Sequence, residues 1–85
     1  GPLTRLVNVQ SPYPQLAGYV AVSTDSSASY LEVIRANGEA YRTPLMVKQG
    51  HPDLRLAVLM VPVGAFVEAT VVSSDGTVLA QWGAS

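Results

Sequence analysis

The chain has 85 residues, 48% of them hydrophobic and 13% charged, with five basic side chains against six acidic ones and no cysteine. That length fits one domain, and so much apolar content with so little net charge excludes a disordered chain. A disulfide framework and a thiolate metal site are excluded, the charge balance argues against nucleic acid, and no apolar run approaches the roughly 20 residues of a membrane-spanning helix.

The chain opens on Gly1-Pro2, which reads as the remnant a site-specific protease leaves when a purification tag is removed. A single folded domain is therefore expected over 3–85, with the native chain continuing upstream. Thirteen valines, nine leucines and ten alanines carry most of the apolar content, beside one isoleucine and one lysine. The bias toward Ala, Val and Arg has the character of a GC-rich bacterial genome. Valine dominance favours strands, because a β-branched side chain suits a pleated surface. No window of a dozen or more residues keeps a helical apolar spacing free of Gly and Pro. Short alternating runs predict strands near 4–10, 17–23, 29–36, 39–48, 54–61, 65–73 and 77–82. Turn residues punctuate them: Ser11-Pro12-Tyr13-Pro14, Asp25-Ser26-Ser27, Gln49-Gly50-His51-Pro52-Asp53 and Pro62-Val63-Gly64. Seven short strands at this spacing predict an all-β fold, a single antiparallel β-sandwich.

Two hairpins carry a register. Asn37-Gly38 as a two-residue turn pairs Ala36 with Glu39, Ile34 with Tyr41, Glu32 with Thr43 and Tyr30 with Leu45. Tyr30 and Tyr41 then share one face, and Arg35 and Arg42 share the other. Pro44, unable to donate to a ladder, marks a bend or an edge. Asp75-Gly76 likewise pairs Ser74 with Thr77, Ser73 with Val78, Val71 with Ala80 and Ala69 with Trp82. Val67, Ala69, Val71, Val78, Ala80 and Trp82 then form a core face, opposite a more polar one.

The run 54–61 is the least alternating. Leu54, Leu56, Val58 and Met60 face one way, and Ala57, Leu59 and Val61 the other. A strand apolar on both faces is normally covered on both sides. On the face that a two-layer fold leaves wet, either a loop covers these side chains or they are ordinary exposed apolar residues, or else another domain or a second protomer covers them.

No constellation for catalysis emerges. His51 is the only histidine and lies in a loop signal, and no Gly-x-Ser-x-Gly elbow is present. The acidic residues Asp25, Glu32, Glu39, Asp53, Glu68 and Asp75 are scattered, with no calcium-loop spacing. The glycines are dispersed, so no phosphate-cradling loop exists. The chain is read as non-catalytic, with no cofactor and no metal. The shared Tyr30/Tyr41 face offers rings that stack on a sugar or anchor a protein contact.

The strand count and hairpins resemble the immunoglobulin and fibronectin type III sandwiches. The most specific stretch is Leu59-Met60-Val61-Pro62-Val63-Gly64-Ala65-Phe66-Val67-Glu68-Ala69-Thr70-Val71. It is similar to the Leu-x-Pro-like turn of fibronectin-like domains, which an aromatic follows at the start of the next strand. Transthyretin-like sandwiches appended to bacterial envelope proteins are also similar. The resemblance implies an architecture shared by many functions. The expected function is a non-catalytic interaction or accessory module of a larger bacterial protein, extracellular or in the cell envelope. Its partner is a protein or a second copy met through the 54–61 strand. Tyr30, Tyr41, Leu59, Val61 and His51 are the candidate contact residues. The alternative is a carbohydrate-binding module using the Tyr30/Tyr41 face.

Overall fold

A computed structural model describes residues 2–64 and 66–83, with backbone only for Phe66 and Val67. Eight strands follow in chain order: β1 (Thr4–Val9), β2 (Leu16–Ser23), β3 (Ala28–Arg35), β4 (Ala40–Pro44), β5 (Met46–Lys48), β6 (His51–Pro62), β7 (Phe66–Ser73) and β8 (Val78–Trp82). They form two antiparallel sheets of four strands each, ordered β1-β2-β6-β5 and β4-β3-β7-β8, with no helix among the described residues. The eighth strand arises because the predicted run 39–48 divides at Leu45. Pro44 ends β4, and the Leu45 N–H makes a last bond to the Ser29 carbonyl at 2.9 Å. The Leu45 side chain is buried between the sheets, and Met46 then joins β6 in the other sheet.

One core serves both sheets. Leu6, Tyr19, Ala21, Ala57 and Val61 come from the first sheet and Leu31, Val33, Ala69 and Val71 from the second, with Ala28 and Leu45 completing the cluster. Leu31, Val33 and Val71 are the largest fully buried apolar side chains. No buried side-chain nitrogen or oxygen among the described residues lacks a hydrogen bond. Ser23, fully buried, pairs its hydroxyl with that of Thr4 at 2.7 Å and accepts the Asp25 N–H at 3.0 Å. That matters in a domain this small, where a single unpaired buried polar group costs about 1–3 kcal/mol.

Both Gly-containing hairpins close one residue wider than the two-residue reading. At the first, the Gly38 N–H bonds the Arg35 carbonyl at 2.9 Å and the Arg35 N–H bonds the Glu39 carbonyl at 2.8 Å. Gly76 and Ser73 repeat the pattern at 3.0 Å, and the Ser73 N–H bonds the Thr77 carbonyl at 2.9 Å. These are three-residue loops, a turn followed by a residue at positive φ, filled by Gly38 at 87° and Gly76 at 88°.

The consequence differs between the two. In the β7–β8 hairpin an irregularity between Val71 and Val72 absorbs the slip, so the expected Val71–Ala80 and Ala69–Trp82 pairs hold. Val78 instead pairs with Val72 and is exposed, outside the core face where the sequence placed it. The expected core position of Val67 lies outside the described side chains, as does the phase of Phe66. In the β3–β4 hairpin nothing absorbs the slip. Val33 pairs with Tyr41, Glu32 with Arg42, Leu31 with Thr43 and Tyr30 with Pro44. Tyr30 and Tyr41 therefore lie on opposite faces, not on one.

Leu31→Ala deletes a fully buried side chain and is expected to lower the unfolding free energy by about 2–5 kcal/mol, read by urea denaturation. The β7–β8 turn supplies a pH signature. Asp75 accepts bonds from the Ser73 hydroxyl and, at 3.0 Å, from the Thr77 N–H, which lower its pKa from 3.8 to about 2. A carboxylate held below its unfolded pKa stabilises the fold above that value and stops doing so as pH falls through the folded one. Asp75→Ala should therefore melt below wild type at neutral pH. The gap should close as pH falls from 3.8 through about 2, followed by thermal melts across that range.

Candidate functional site

The pairing of β2 with its neighbours sorts the first sheet into two faces. Leu6 pairs with Ala21 and Ala21 with Ala57; Tyr19 pairs with Leu59, and Ala17 with Val61. These rows point into the core. The alternate rows point out, because successive strand residues face opposite ways. They are Val7–Val20–Val58, Val9–Gly18–Met60, Leu16–Pro62, and Arg5–Val22–Leu56–Met46.

These four rows are almost wholly apolar, with Arg5 the one charged residue in them, while Lys48 stands at the end of edge strand β5. Val7 is 47% exposed, Val58 59%, Met60 38% and Met46 66%, while Val20, Val22 and Leu56 are half-buried between them. Soluble monomers rarely expose contiguous apolar surface beyond a few hundred Å². Gly18 shapes the middle of the face. A Cβ there would stand 2.9 Å from the Val9 Cγ2 and 3.3 Å from the Met60 Sδ. The missing side chain lets Val9 and Met60 lie over the strand, so Gly18 is buried on a face that is otherwise open.

The outer face of the second sheet is more polar, although Val78 lies exposed on it beside half-buried Val72. The slipped β3–β4 register sets Arg42 beside Glu32, with Nε 3.4 Å from Oε2, and lays its guanidinium over the Tyr30 ring, 4.4 Å from the centroid. Gln81 Nε2 donates to Glu68 Oε2 at 2.7 Å. These groups satisfy one another in water, as an ordinary solvated face does. Arg35, separated from Arg42 by the slip, binds Glu39 at 2.9 Å. Glu39 also accepts from Asn37 and, at 3.0 Å, from the Tyr41 hydroxyl, and these bonds lower its pKa.

The residues singled out in the sequence do not converge. Tyr30 lies on the polar outer face beneath Arg42. Tyr41 packs against the core. Val61 is buried and Leu59 is partly buried against the core, so the inward phase of β6 is the reverse of a contact surface. His51 is exposed at the β5–β6 tip, paired with Lys48. Trp82 keeps part of its surface while its ring meets Tyr19 edge-on at 5.8 Å, capping the core. A cleft bounded by Ala17, Tyr19, Val33, Arg35, Val61 and Gly64 holds only about 60 Å³, far below the roughly 300–1,000 Å³ of small-molecule sites. Among the described residues no group of three His, Cys, Asp or Glu side chains could hold a metal ion, and no helix is long and apolar enough to cross a membrane.

Val7, Val20, Val22 and Met46, which the sequence reading passed over, complete the apolar face. Their signal was present in β1 and β2, where Leu6-Val7 and Tyr19-Val20-Ala21-Val22 are apolar in both phases, as in β6. The chain matches no family model, no curated protein and no solved structure.

Neighbouring residues of β6 thus have opposite consequences. Leu59→Glu places a carboxylate beside Tyr19 in the core and is expected to abolish cooperative unfolding. Val58→Glu, pointing out, should leave the circular dichroism spectrum intact and change the unfolding free energy of the single chain by no more than about 0.5 kcal/mol. Thermal melts of the two variants decide it; a folded Leu59→Glu would invert the assigned faces.

Proposed function

We propose that this domain is a non-catalytic interaction or accessory module, an immunoglobulin/fibronectin type III-like sandwich serving a larger bacterial secreted, envelope or surface protein. Its mechanism is presentation of the outer face of β1-β2-β6-β5 to a protein partner. The observation that carries this reading is the contrast between the two sheets. One outer face pairs its own charges, while the other leaves Val7, Met46, Val58 and Met60 exposed around half-buried valines. Burial of such a face on a partner is favourable at about 25 cal/mol per Å² before the costs of association.

The strand order supports the architectural part of the reading. The sheets β1-β2-β6-β5 and β4-β3-β7-β8 follow the A-B-E-D and C-F-G order of immunoglobulin-type sandwiches, with β4 added beside β3. The compositional bias toward Ala, Val and Arg supports a bacterial source, and the resemblance to envelope-protein sandwiches supports the compartment. A carbohydrate platform draws no support, since Tyr41 turns inward and Arg42 covers one side of the Tyr30 ring.

Affinity capture from extracts of the source cells tests the reading, with wild-type, Val58→Glu and Tyr30→Ala baits. A protein retained by wild type and Tyr30→Ala and lost with Val58→Glu is the expected result. Capture that ignores Val58, or that follows Tyr30, would sink it.

A further inference from the structure

We propose that the occupant of the apolar face is a second copy of this chain, packed face to face across a two-fold axis. The proposal rests on the interaction-module reading and names its partner.

Area is the first argument. Strands about 4.8 Å apart and averaging about seven residues of roughly 3.3 Å each make a four-stranded face of some 20 by 23 Å. Two such footprints total about 900 Å², and the relief of their side chains brings the buried area to on the order of 1,000 Å², the lower bound of a biological interface. The face is therefore large enough for a dimer by itself, without help from another surface.

Charge is the second argument. A two-fold interface sets the same patch against itself, so any charge central to the patch meets a like charge or its own desolvation. The rows Val7–Val20–Val58, Val9–Gly18–Met60 and Leu16–Pro62 hold no charge. Arg5 stands on edge strand β1, at the margin of the remaining row. Self-packing of the three uncharged rows thus costs nothing electrostatically, and the cations Arg5 and Lys48 stand on the edge strands β1 and β5.

Shape is the third. Val9 and Met60 close over Gly18, so that row of β2 carries no protruding side chain of its own. Sheet faces stack about 10 Å apart in aligned sandwiches. Met46 and Met60 bring unbranched side chains that fill an irregular seam. Pairing along two of the sheet edges is obstructed instead. β5 has only three residues and ends in Lys48, and β4 carries Pro44.

The test is the mass in solution, by light scattering and sedimentation over about 1 µM to 1 mM. Wild type should move from the 8.9 kDa of one chain toward twice that mass as concentration rises. Val58→Glu and Met46→Glu, both at exposed positions, should raise the dissociation constant by more than about a hundredfold, since each copy then buries an unpaired carboxylate. Tyr30→Asp, on the other sheet, should leave the dimer unchanged. A wild type that stays monomeric overturns the proposal, as does a dimer that survives Val58→Glu and Met46→Glu or is broken by Tyr30→Asp. The module reading fails separately. A monomer whose Val58-dependent capture yields a different protein removes the second copy as occupant and leaves an interaction module.

Discussion

The pairing of β2 with β6 is the constraint on which the molecule depends. It runs unbroken from Leu16–Pro62 to Ser23–Arg55, and it joins segments about forty residues apart. Because side chains alternate, a one-residue slip would exchange the faces of both strands. The observed register places Ala21 beside Ala57 and Tyr19 beside Leu59 on the inside. Val58 and Met60 go outside. With no cysteine to staple the chain, this ladder and the core beneath it hold the first sheet.

The choice of inward phase runs against residue size. Leu56, Val58 and Met60 together are bulkier than Ala57, Leu59 and Val61, yet the smaller set is buried. The space between the sheets is shared. Leu6, Leu31, Leu45 and Tyr19 occupy it, and Val33 and Val71 enter it from the second sheet. Small residues at the centre of one sheet accept large ones from the other, which is how two sheets interdigitate at native density. The surplus of apolar side chains is then displaced outward, where it forms the exposed face. The apolar face and the packed core are thus two results of one register.

The second sheet shows the same logic with a different outcome. One extra residue in the Asn37-Gly38 loop carries Tyr41 inward and brings Arg42 over Tyr30 and against Glu32. The polar outer face is a product of that slip. In the β7–β8 hairpin a bulge absorbs the same extra residue before Val71, and its core pairs are preserved. The two turns are alike, so the difference lies in the strands that follow them. Ala69 and Val71 must face the core, and their partner strand bends to allow it.

The all-β class and the approximate place of the strands were legible in the chain, save that the run 39–48 gave no sign of dividing into β4 and β5. They depend on local chemistry, namely valine in pleated runs, glycine and asparagine or aspartate at turns, and proline at an edge. The doubly apolar character of 54–61 was legible too. Which of its faces is wet was not, nor that β1 and β2 extend the same surface through Val7, Val20 and Val22. A strand carries two faces whatever its neighbours, and its own residues state only that both are apolar. The sequence by itself determined that this protein is built of short antiparallel strands with more apolar surface than one core absorbs. Only the tertiary structure decided where the excess lies, because inside and outside are assigned by the register between strands and the volume shared between sheets, and both are set by residues far apart in the chain.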